Sequence, residues 1–219
     1  MKTHPNTLSD LVRSHIQEGI LSGTFFPGKR LKETDLALEL GISRSPIREA
    51  LKVVEQEGLI VVEPWKGLSI AKLTRVQMLE LFSYREVFEV MAIEMACESI
   101  TAERLDLLSE LVDDHLLSDD VTLADLARNN QEFHQTIYEA TQNDFLKASV
   151  GTLRTLLALM PSETFRQPGR TATILEEHRA IVGGLKARDT EMAKAAIRTH
   201  IRNSAKSHMS LIVKADLGI

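Results

Sequence analysis

A row of basic residues is the first feature whose spacing suggests chemistry. Arg44, Arg48 and Lys52 recur every fourth residue, so on a helix they would share one face. Guanidinium groups donate paired hydrogen bonds to phosphates and to the edge of guanine. The spacing therefore predicts a helix face that contacts DNA.

The residues around this row predict a helix-turn-helix. Residues 33–40 fit a short helix, and Gly41 provides the positive φ of a tight turn at no steric cost. Ser43 or Ser45 can cap the next helix, and Pro46 then falls in its first turn, where a missing N–H costs nothing. The apolar stripe of this second helix consists of Ile47, Ala50, Leu51 and Val54. The second helix of such a motif enters the major groove.

The flanking segments extend this motif to a winged helix-turn-helix. An amphipathic helix is predicted over residues 7–22, ahead of a turn at Pro27-Gly28. Residues 59–62 and 68–71 are rich in β-forming types and enclose a turn that contains proline and glycine, which predicts a hairpin. We expect the DNA-binding domain to end near residue 75.

Three histidines in the second part of the chain could form a metal site. His134, His178 and His200 each accompany an apolar helical stripe, so each is expected to point inward. Asn130 precedes His134 by four residues and would share its helix face. Three imidazoles and one oxygen ligand suit a first-row divalent metal with an open position. The alternative is that each histidine is a hydrogen-bonded core residue.

Arg85 and Glu89 are placed on an otherwise apolar stripe of the first helix in this region. One interpretation is a structural ion pair between neighbours on a helix. The other is that Arg85 binds the carboxylate of an effector, for which its planar fork is suited.

The N-terminal region resembles the DNA-binding domain of GntR-type bacterial transcription regulators. The resemblance is carried by Gly23, Pro27-Gly28, Leu31, Glu33, Leu36-Ala37, Leu40-Gly41, Ser43-Arg44, Pro46, Arg48-Glu49-Ala50-Leu51 and Gly58-Leu59. It implies that Ser43, Arg44, Ser45 and Arg48 contact operator bases and phosphates. It also implies that the wing, with Trp65, Lys66 and Gly67, enters the minor groove. Thr34 and the wing-tip residues Pro64 and Trp65 depart from the family pattern, so the operator sequence cannot be carried over.

The remainder is similar to the FCD effector domain of the FadR subgroup of that family. The matching residues are Arg85, Glu89, Phe133-His134, Ile137, Ala140, Asn143, Leu146, Glu177-His178-Arg179-Ala180-Ile181 and His200-Ile201. The resemblance implies a divalent metal held by His134, His178 and His200, which helps to bind a small carboxylate effector. Asn130 stands where the family has an aspartate. A neutral amide oxygen should lower the metal affinity, and zinc is favoured over nickel or manganese.

Composition is consistent with a cytoplasmic regulator. The chain has 219 residues and a net charge of −5, but residues 1–75 carry 11 Lys or Arg against 9 Asp or Glu. It contains no apolar run long enough to span a bilayer, no segment that resembles a signal peptide, and a single cysteine, Cys97. No nucleotide-binding loop or hydrolase motif is present. The enzyme alternative is a metal-dependent hydrolase with Glu176 or Glu177 as base.

These observations predict a mainly α protein with two domains. Residues 1–75 would form the winged helix-turn-helix, and residues 76–219 an all-helical bundle for effector binding and dimerisation. The bundle helices are expected near residues 76–99, 102–117, 122–141, 144–160, 171–187 and 189–214. The predicted function is that of a homodimeric repressor that binds operator DNA and responds to a small organic acid. A metal-free regulator with an acyl or apolar effector is the alternative.

Overall fold

The computed structural model describes residues 7–65, 67–118, 120–160, 164–165 and 167–217. The chain divides into two compact units. The first consists of the residues up to Thr74 together with Thr152–Met160, and the second of Arg75–Gly151 together with the residues from 161 onward. The segment Thr152–Met160 was expected in the second domain.

The first unit contains three helices: α1 (Leu8–Leu21), α2 (Glu33–Leu40) and α3 (Arg44–Gln56). Thr7 caps α1 through a reciprocal pair of hydrogen bonds with Asp10. Between α2 and α3 the chain turns at Gly41, whose φ of 66° lies in the left-handed region that glycine adopts without strain. This is the turn that the sequence predicted.

A small antiparallel sheet completes the first unit. Its strands are β1 (Arg30–Leu31), β2 (Ile60–Glu63) and β3 (Gly67–Ile70), in the order β1-β3-β2. The β2–β3 hairpin is the predicted wing. Strand β1 was not predicted, because a pair of residues is too short to show an alternating pattern.

The core of the first unit is built from the apolar faces of these elements. The predicted stripe of α3 is buried in it, as are residues from α1, α2, the sheet and the segment Thr152–Met160. Its most enclosed members include Val12, Ile16, Leu36, Ile47, Ala50, Val54, Leu59, Ile60, Ile70 and Leu159. Packing of α3 on this core leaves its opposite face exposed.

The second unit is helical throughout its described elements. They are α4 (Arg75–Ser99), α5 (Ala102–Glu110), a 3-10 helix (Asp114–Leu117), α6 (Leu123–Ala140), α7 (Asp144–Ala158), α8 (Arg170–Ala187) and α9 (Thr190–Leu217). The residues of α7 from Thr152 onward belong to the first unit. The predicted single helix over residues 102–117 was wrong. The chain breaks after Glu110, and the Asp113 carboxylate accepts a hydrogen bond from the backbone N–H of His115 at 2.9 Å, which starts a new turn.

Helices α4, α8 and α9 pack together and carry most of the buried polar residues. Gly184 permits the close approach of α8 to α9, since a Cβ atom there would lie 2.7 Å from the Ala193 Cα. The connection between the helices predicted over residues 144–160 and 171–187 lies partly outside the described residues, which omit 161–163 and 166. The predicted fold class, mainly α with a winged helix-turn-helix and a helical bundle, is confirmed.

Candidate nucleic-acid interface and metal centre

The exposed face of α3 carries the residues that the sequence assigned to DNA. All five side chains are exposed: Ser43, Arg44, Ser45, Arg48 and Lys52. The backbone of Ser43 starts the helix, but its hydroxyl makes no capping hydrogen bond. The expected serine cap is therefore absent for Ser43, and Pro46 lies in the first turn as predicted.

Acidic neighbours hold two of these basic side chains. The Arg48 Nε donates to Glu33 Oε2 at 2.8 Å, and the Lys52 Nζ donates to Glu49 Oε1 at 2.8 Å. The Arg48 side chain nevertheless remains 62% exposed. Exposed pairs of this kind contribute about 0–1 kcal/mol, so a phosphate or a guanine can replace the carboxylate at small cost. Sequence periodicity does not reveal the Glu33–Arg48 pair, because it joins two helices.

The wing ends in a turn that presents an aromatic ring to solvent. Trp65 is fully exposed and has a φ of 67°, and Gly67 follows with a φ of 84°. Lys66, which was assigned to the same contact, lies outside the described residues. A bulky side chain in the left-handed region is uncommon, and here it is found at the outer end of the hairpin.

Three helices bring the predicted histidines together. His134 comes from α6, His178 from α8 and His200 from α9, and all three are buried. One ring nitrogen of each lies within 4.8 Å of one ring nitrogen of the other two. Asn130 lies one helical turn before His134 on α6 and is half-buried. The three imidazoles could therefore hold one metal ion.

Buried carboxylates orient two of the histidines. The His134 Nδ1 lies 3.2 Å from Glu89 Oε2, and the His200 Nδ1 lies 2.8 Å from Glu177 Oε2. Burial acts to raise the pKa of Glu89, but His134, Arg85 and the Tyr138 hydroxyl outweigh it and hold the pKa below its ordinary value. Both rings thus donate from Nδ1 to a carboxylate, the arrangement that usually supports a metal-binding histidine.

Hydrogen bonding defines the protons on the facing nitrogens. A guanidinium group can only donate, so the contact of 3.1 Å between Arg85 Nη2 and His134 Nε2 requires a lone pair on that nitrogen. Burial lowers the pKa of His200 to about 4, so this ring is neutral at neutral pH and its one proton is on Nδ1. The His134 and His200 Nε2 atoms lie 3.3 Å apart. Two ring nitrogens from different helices therefore face each other, and a cation between them could bind both.

His178 shows the same need for a partner. Neither of its ring nitrogens has a hydrogen-bond partner in the described structure, although the residue is completely buried. Its ring stacks on Phe133, with the centroids 3.8 Å apart. Burial lowers its pKa well below the ordinary value, and the nearby His200 and His134 add to this effect. A buried neutral imidazole without partners is costly unless a metal binds it.

Several residues of this cluster were not predicted. Tyr138 donates to Glu89 Oε1 at 2.7 Å, Arg170 pairs with Glu177 through two nitrogens, and Asn203 donates to Glu177 at 2.8 Å. Tyr138 follows His134 by four residues, so its shared face was visible in the sequence. Arg170 precedes Glu177 by seven residues on α8, two helical turns, so this pair was visible in the sequence as well. Asn203 could not be found that way, because α8 and α9 meet only in the fold.

The residues proposed as a hydrolytic base are not available for that role. Glu177 is held by His200, Arg170 and Asn203, and Glu176 is exposed on the other side of α8. The predicted Arg85–Glu89 pair is present, with 3.1 Å between Nε and Oε1, and it is buried. Arg85 thus contacts a carboxylate and a histidine of the cluster at the same time.

Two sequence families match the two units. Residues 8–70 match the bacterial regulatory proteins of the gntR family, and residues 80–203 match the FCD domain. The chain belongs to the GntR family. Since its match to the FCD domain covers more than half of the sequence, the expected resemblance is confirmed, and this GntR-family protein is a transcription regulator.

Known regulators are similar to this GntR protein over most of its length. The HTH-type transcriptional regulator YdhC of Bacillus subtilis is 30% identical over 88% of this chain and 87% of its own. The Glc operon transcriptional activator of Escherichia coli is 26% identical over 94% of this chain and 91% of its own. The repressor NanR of Klebsiella aerogenes is 24% identical over 93% of this chain and 86% of its own.

Solved structures share the fold. Escherichia coli McbR/YncC superposes with a TM-score of 0.74 and 22% identity, over 94% of this chain and 99% of its own. A putative GntR regulator from Rhodococcus sp. RHA1 gives a TM-score of 0.72 and 21% identity, over 92% of this chain and 97% of its own. The sequence relatives YdhC, the Glc operon activator and NanR are transcription regulators rather than enzymes. Within the described residues, no helix combines the length and apolar character needed to cross a bilayer.

Proposed function

We propose that this GntR protein is a homodimeric repressor that releases its operator when a small carboxylate binds at a metal ion within the helical unit. The observation that carries the proposal is the convergence of three buried imidazoles from three helices. The similarity to the transcriptional repressor NanR supports repression. Expression of a reporter gene with and without the regulator tests the sign of the regulation.

The DNA contact is assigned to α3 and the wing. Arg44 and Arg48 would contact guanines or phosphates, with Lys52 and the hydroxyls of Ser43 and Ser45 beside them. The wing residues Trp65, Lys66 and Gly67 would lie in the adjacent minor groove. The support is that the described members of this set are exposed, while the apolar stripe of α3 is buried.

The metal would be held by His134, His178 and His200, with the amide oxygen of Asn130 as a fourth ligand. Imidazole ligands with one oxygen suit zinc, and nickel or manganese are the alternatives. The metal would supply a positive Lewis-acidic attachment point for the carboxylate. Arg85 lies beside this position, since its Nη2 contacts His134 Nε2 at 3.1 Å. The planar guanidinium of Arg85 suits a carboxylate, so Arg85 is the proposed effector-binding residue.

Dimerisation is assigned to an apolar stripe on α4. Tyr84, Val87 and Met91 recur at helical spacing on the side opposite the core, and all three are exposed. The neighbouring Phe145 is 89% exposed. A second copy of the chain is the proposed occupant, because one recognition helix reads only half of a palindromic operator.

Binding to the intergenic DNA upstream of the regulator's own gene tests the assignment of α3 and the wing to the DNA contact. Arg48→Ala and Arg44→Ala should each weaken binding by about 1–3 kcal/mol in fluorescence anisotropy. Arg128→Ala is the matched control, since Arg128 is an exposed arginine of the helical unit and should leave the affinity unchanged. Affinity of the wild type should also fall steeply with salt. If both recognition-helix variants bind like the wild type, the assignment is wrong.

A further inference from the structure

The wing carries exposed apolar side chains, in contrast to the basic face of α3. Residues 60–70, which include both strands of the β2–β3 hairpin, contain one basic and one acidic residue, so their formal charge is zero. Val61, Val62, Pro64 and Trp65 are all exposed. The phosphates of an operator are therefore attracted by the basic face of α3, whereas a contact made by the wing depends on apolar surface.

Trp65 lies at the outermost point of this hairpin. Glu63 pairs with Gly67, so Trp65 is the middle residue of the three that connect the strands. The residue is completely exposed, and no part of the described structure covers its indole ring. Its φ of 67° puts a bulky side chain in the left-handed region, a conformation that costs free energy and that is concentrated at binding sites. The exposure and the backbone conformation both indicate that this ring has a binding partner.

The hairpin is attached to the recognition helix within the first unit. Its buried residues Ile60, Leu68 and Ile70 belong to the same core as the apolar stripe of α3. The Val62 backbone N–H also donates to Glu55 Oε1 on α3 at 3.3 Å. When α3 occupies the major groove, these contacts hold the wing against the same duplex. DNA is therefore the partner that the position of Trp65 favours.

A base-pair step offers the kind of surface that an exposed indole ring can bind. Stacking on a base requires no charge, because every base has an aromatic face. Apolar side chains that enter the minor groove wedge between neighbouring base pairs, partly unstack them and kink the duplex. Proline is one of the residue types found in such wedges, and Pro64 directly precedes Trp65.

We propose that Trp65 inserts between two base pairs from the minor groove, and that the resulting kink selects the base-pair step at this point of the operator. The inference rests on the operator binding proposed above. Pyrimidine–purine steps such as TA and CA are the most easily kinked and unstacked. Trp65 thus provides selectivity without a hydrogen bond to a base, in addition to the contacts of Arg44 and Arg48.

The bending of DNA by the full-length protein is the first test. The probe is the intergenic DNA upstream of the regulator's own gene, cut into circularly permuted fragments whose gel mobility reports a bend. The wild type should bend this DNA by about 20–90°. Trp65→Ala should bind about 10–100-fold more weakly and lose most of the bend, whereas Trp65→Phe, which keeps an aromatic wedge, should retain it. Because Trp65 is completely exposed, both variants should unfold at the temperature of the wild type.

The second test locates the insertion with 2-aminopurine, an adenine analogue whose fluorescence rises when it unstacks. The analogue replaces single adenines of the same DNA, one at a time. Its fluorescence should rise at one step of each half-site when the wild type binds, and should stay constant with Trp65→Ala. Conversion of that step to the stiff AA step should weaken binding of the wild type about tenfold and leave the affinity of Trp65→Ala unchanged.

Trp65→Lys separates insertion from attraction to phosphates, because it removes the ring and adds a positive charge. Insertion predicts that this variant loses the bend as Trp65→Ala does, so a lysine variant that bends DNA like the wild type would refute the inference. Wild-type bending by Trp65→Ala, or no response of any adenine analogue to the wild type, would also refute it. If the wild type binds neither this DNA nor a mixed-sequence duplex at low salt, the DNA-binding function itself is wrong.

Discussion

Replacement of His178 by leucine should stabilise the helical unit when metal is removed and prevent the stabilisation that metal provides. The two ring nitrogens of His178 have no hydrogen-bond partner, and the ring is completely buried. Leucine is apolar and of similar volume, so it removes the unpaired polar atoms without a large cavity. It also removes one of the three proposed metal ligands.

The expected magnitudes follow from these contacts. An unpaired polar group in a protein interior costs about 1–3 kcal/mol. Loss of the ring stacked on Phe133 at 3.8 Å costs about 0.5–1.5 kcal/mol. The net gain in the free energy of unfolding without metal should therefore be about 1 kcal/mol. With zinc at a thousandfold excess over its dissociation constant, the wild type should gain about 4 kcal/mol and the variant almost nothing.

Scanning calorimetry at neutral pH and fixed protein concentration measures both effects. Each kcal/mol corresponds to a change of roughly 2–4 °C in the midpoint of a domain of this size. In the presence of a chelator, the variant should unfold at a higher temperature than the wild type. With zinc, the wild type should unfold at the higher temperature. His208→Leu is the matched control, because the His208 Nδ1 already donates to the Ser204 carbonyl at 2.9 Å. Without metal, the His208→Leu protein should be less stable than the wild type, and zinc should still raise its unfolding temperature.

Either of two results would refute this reasoning. A chelated His178→Leu protein that is less stable than the wild type by more than about 1 kcal/mol would mean that the ring has partners after all. An undiminished rise with zinc would mean that His178 is not a ligand. In the second case the three histidines are core residues, and the proposed effector site has no metal.

Three further predictions concern acid, the wing and the dimer. Without metal, the free energy of unfolding should be highest above pH 6.5 and should fall towards pH 4, by about 3 kcal/mol for His200 alone, because the unfolded chain binds protons that the buried ring does not. Urea titrations at a series of pH values measure this loss, and a constant free energy of unfolding would contradict it. The fluorescence of the exposed Trp65 should change when operator is added, and an unchanged spectrum at saturation would place the wing away from DNA. Val87→Glu should yield monomers in sedimentation experiments and weaken operator binding, whereas the control Leu117→Glu, at another exposed aliphatic residue, should remain dimeric. A dimeric Val87→Glu protein would show that α4 is not in the interface.

Much of the DNA-binding unit could be predicted because its determinants are local. Gly41 supplies a backbone conformation that other residues avoid, and Pro46 is tolerated only in the first turn of a helix. The spacing of Ile47 and Val54 identifies the buried side of α3, and so the exposed side. The structure agrees on each of these points. The pair between Arg48 and Glu33 was not visible, because it depends on how α2 and α3 cross.

In the helical unit, the sequence determined most of the helices, though not the break after Glu110, and the identity of the three histidines. Apolar periodicity and residue type are properties of short segments. Only the tertiary structure decided which atoms meet. His134 and His200 are 66 residues apart, and the facing of their Nε2 atoms depends on the rotation of two helices about their axes. The same packing turns Glu89 and Glu177 towards the outer nitrogens, places Arg85 on His134, and leaves His178 without a partner. Local patterns fix which side of a helix is buried, whereas contacts between distant helices depend on crossing angles and side-chain packing, which no short segment encodes.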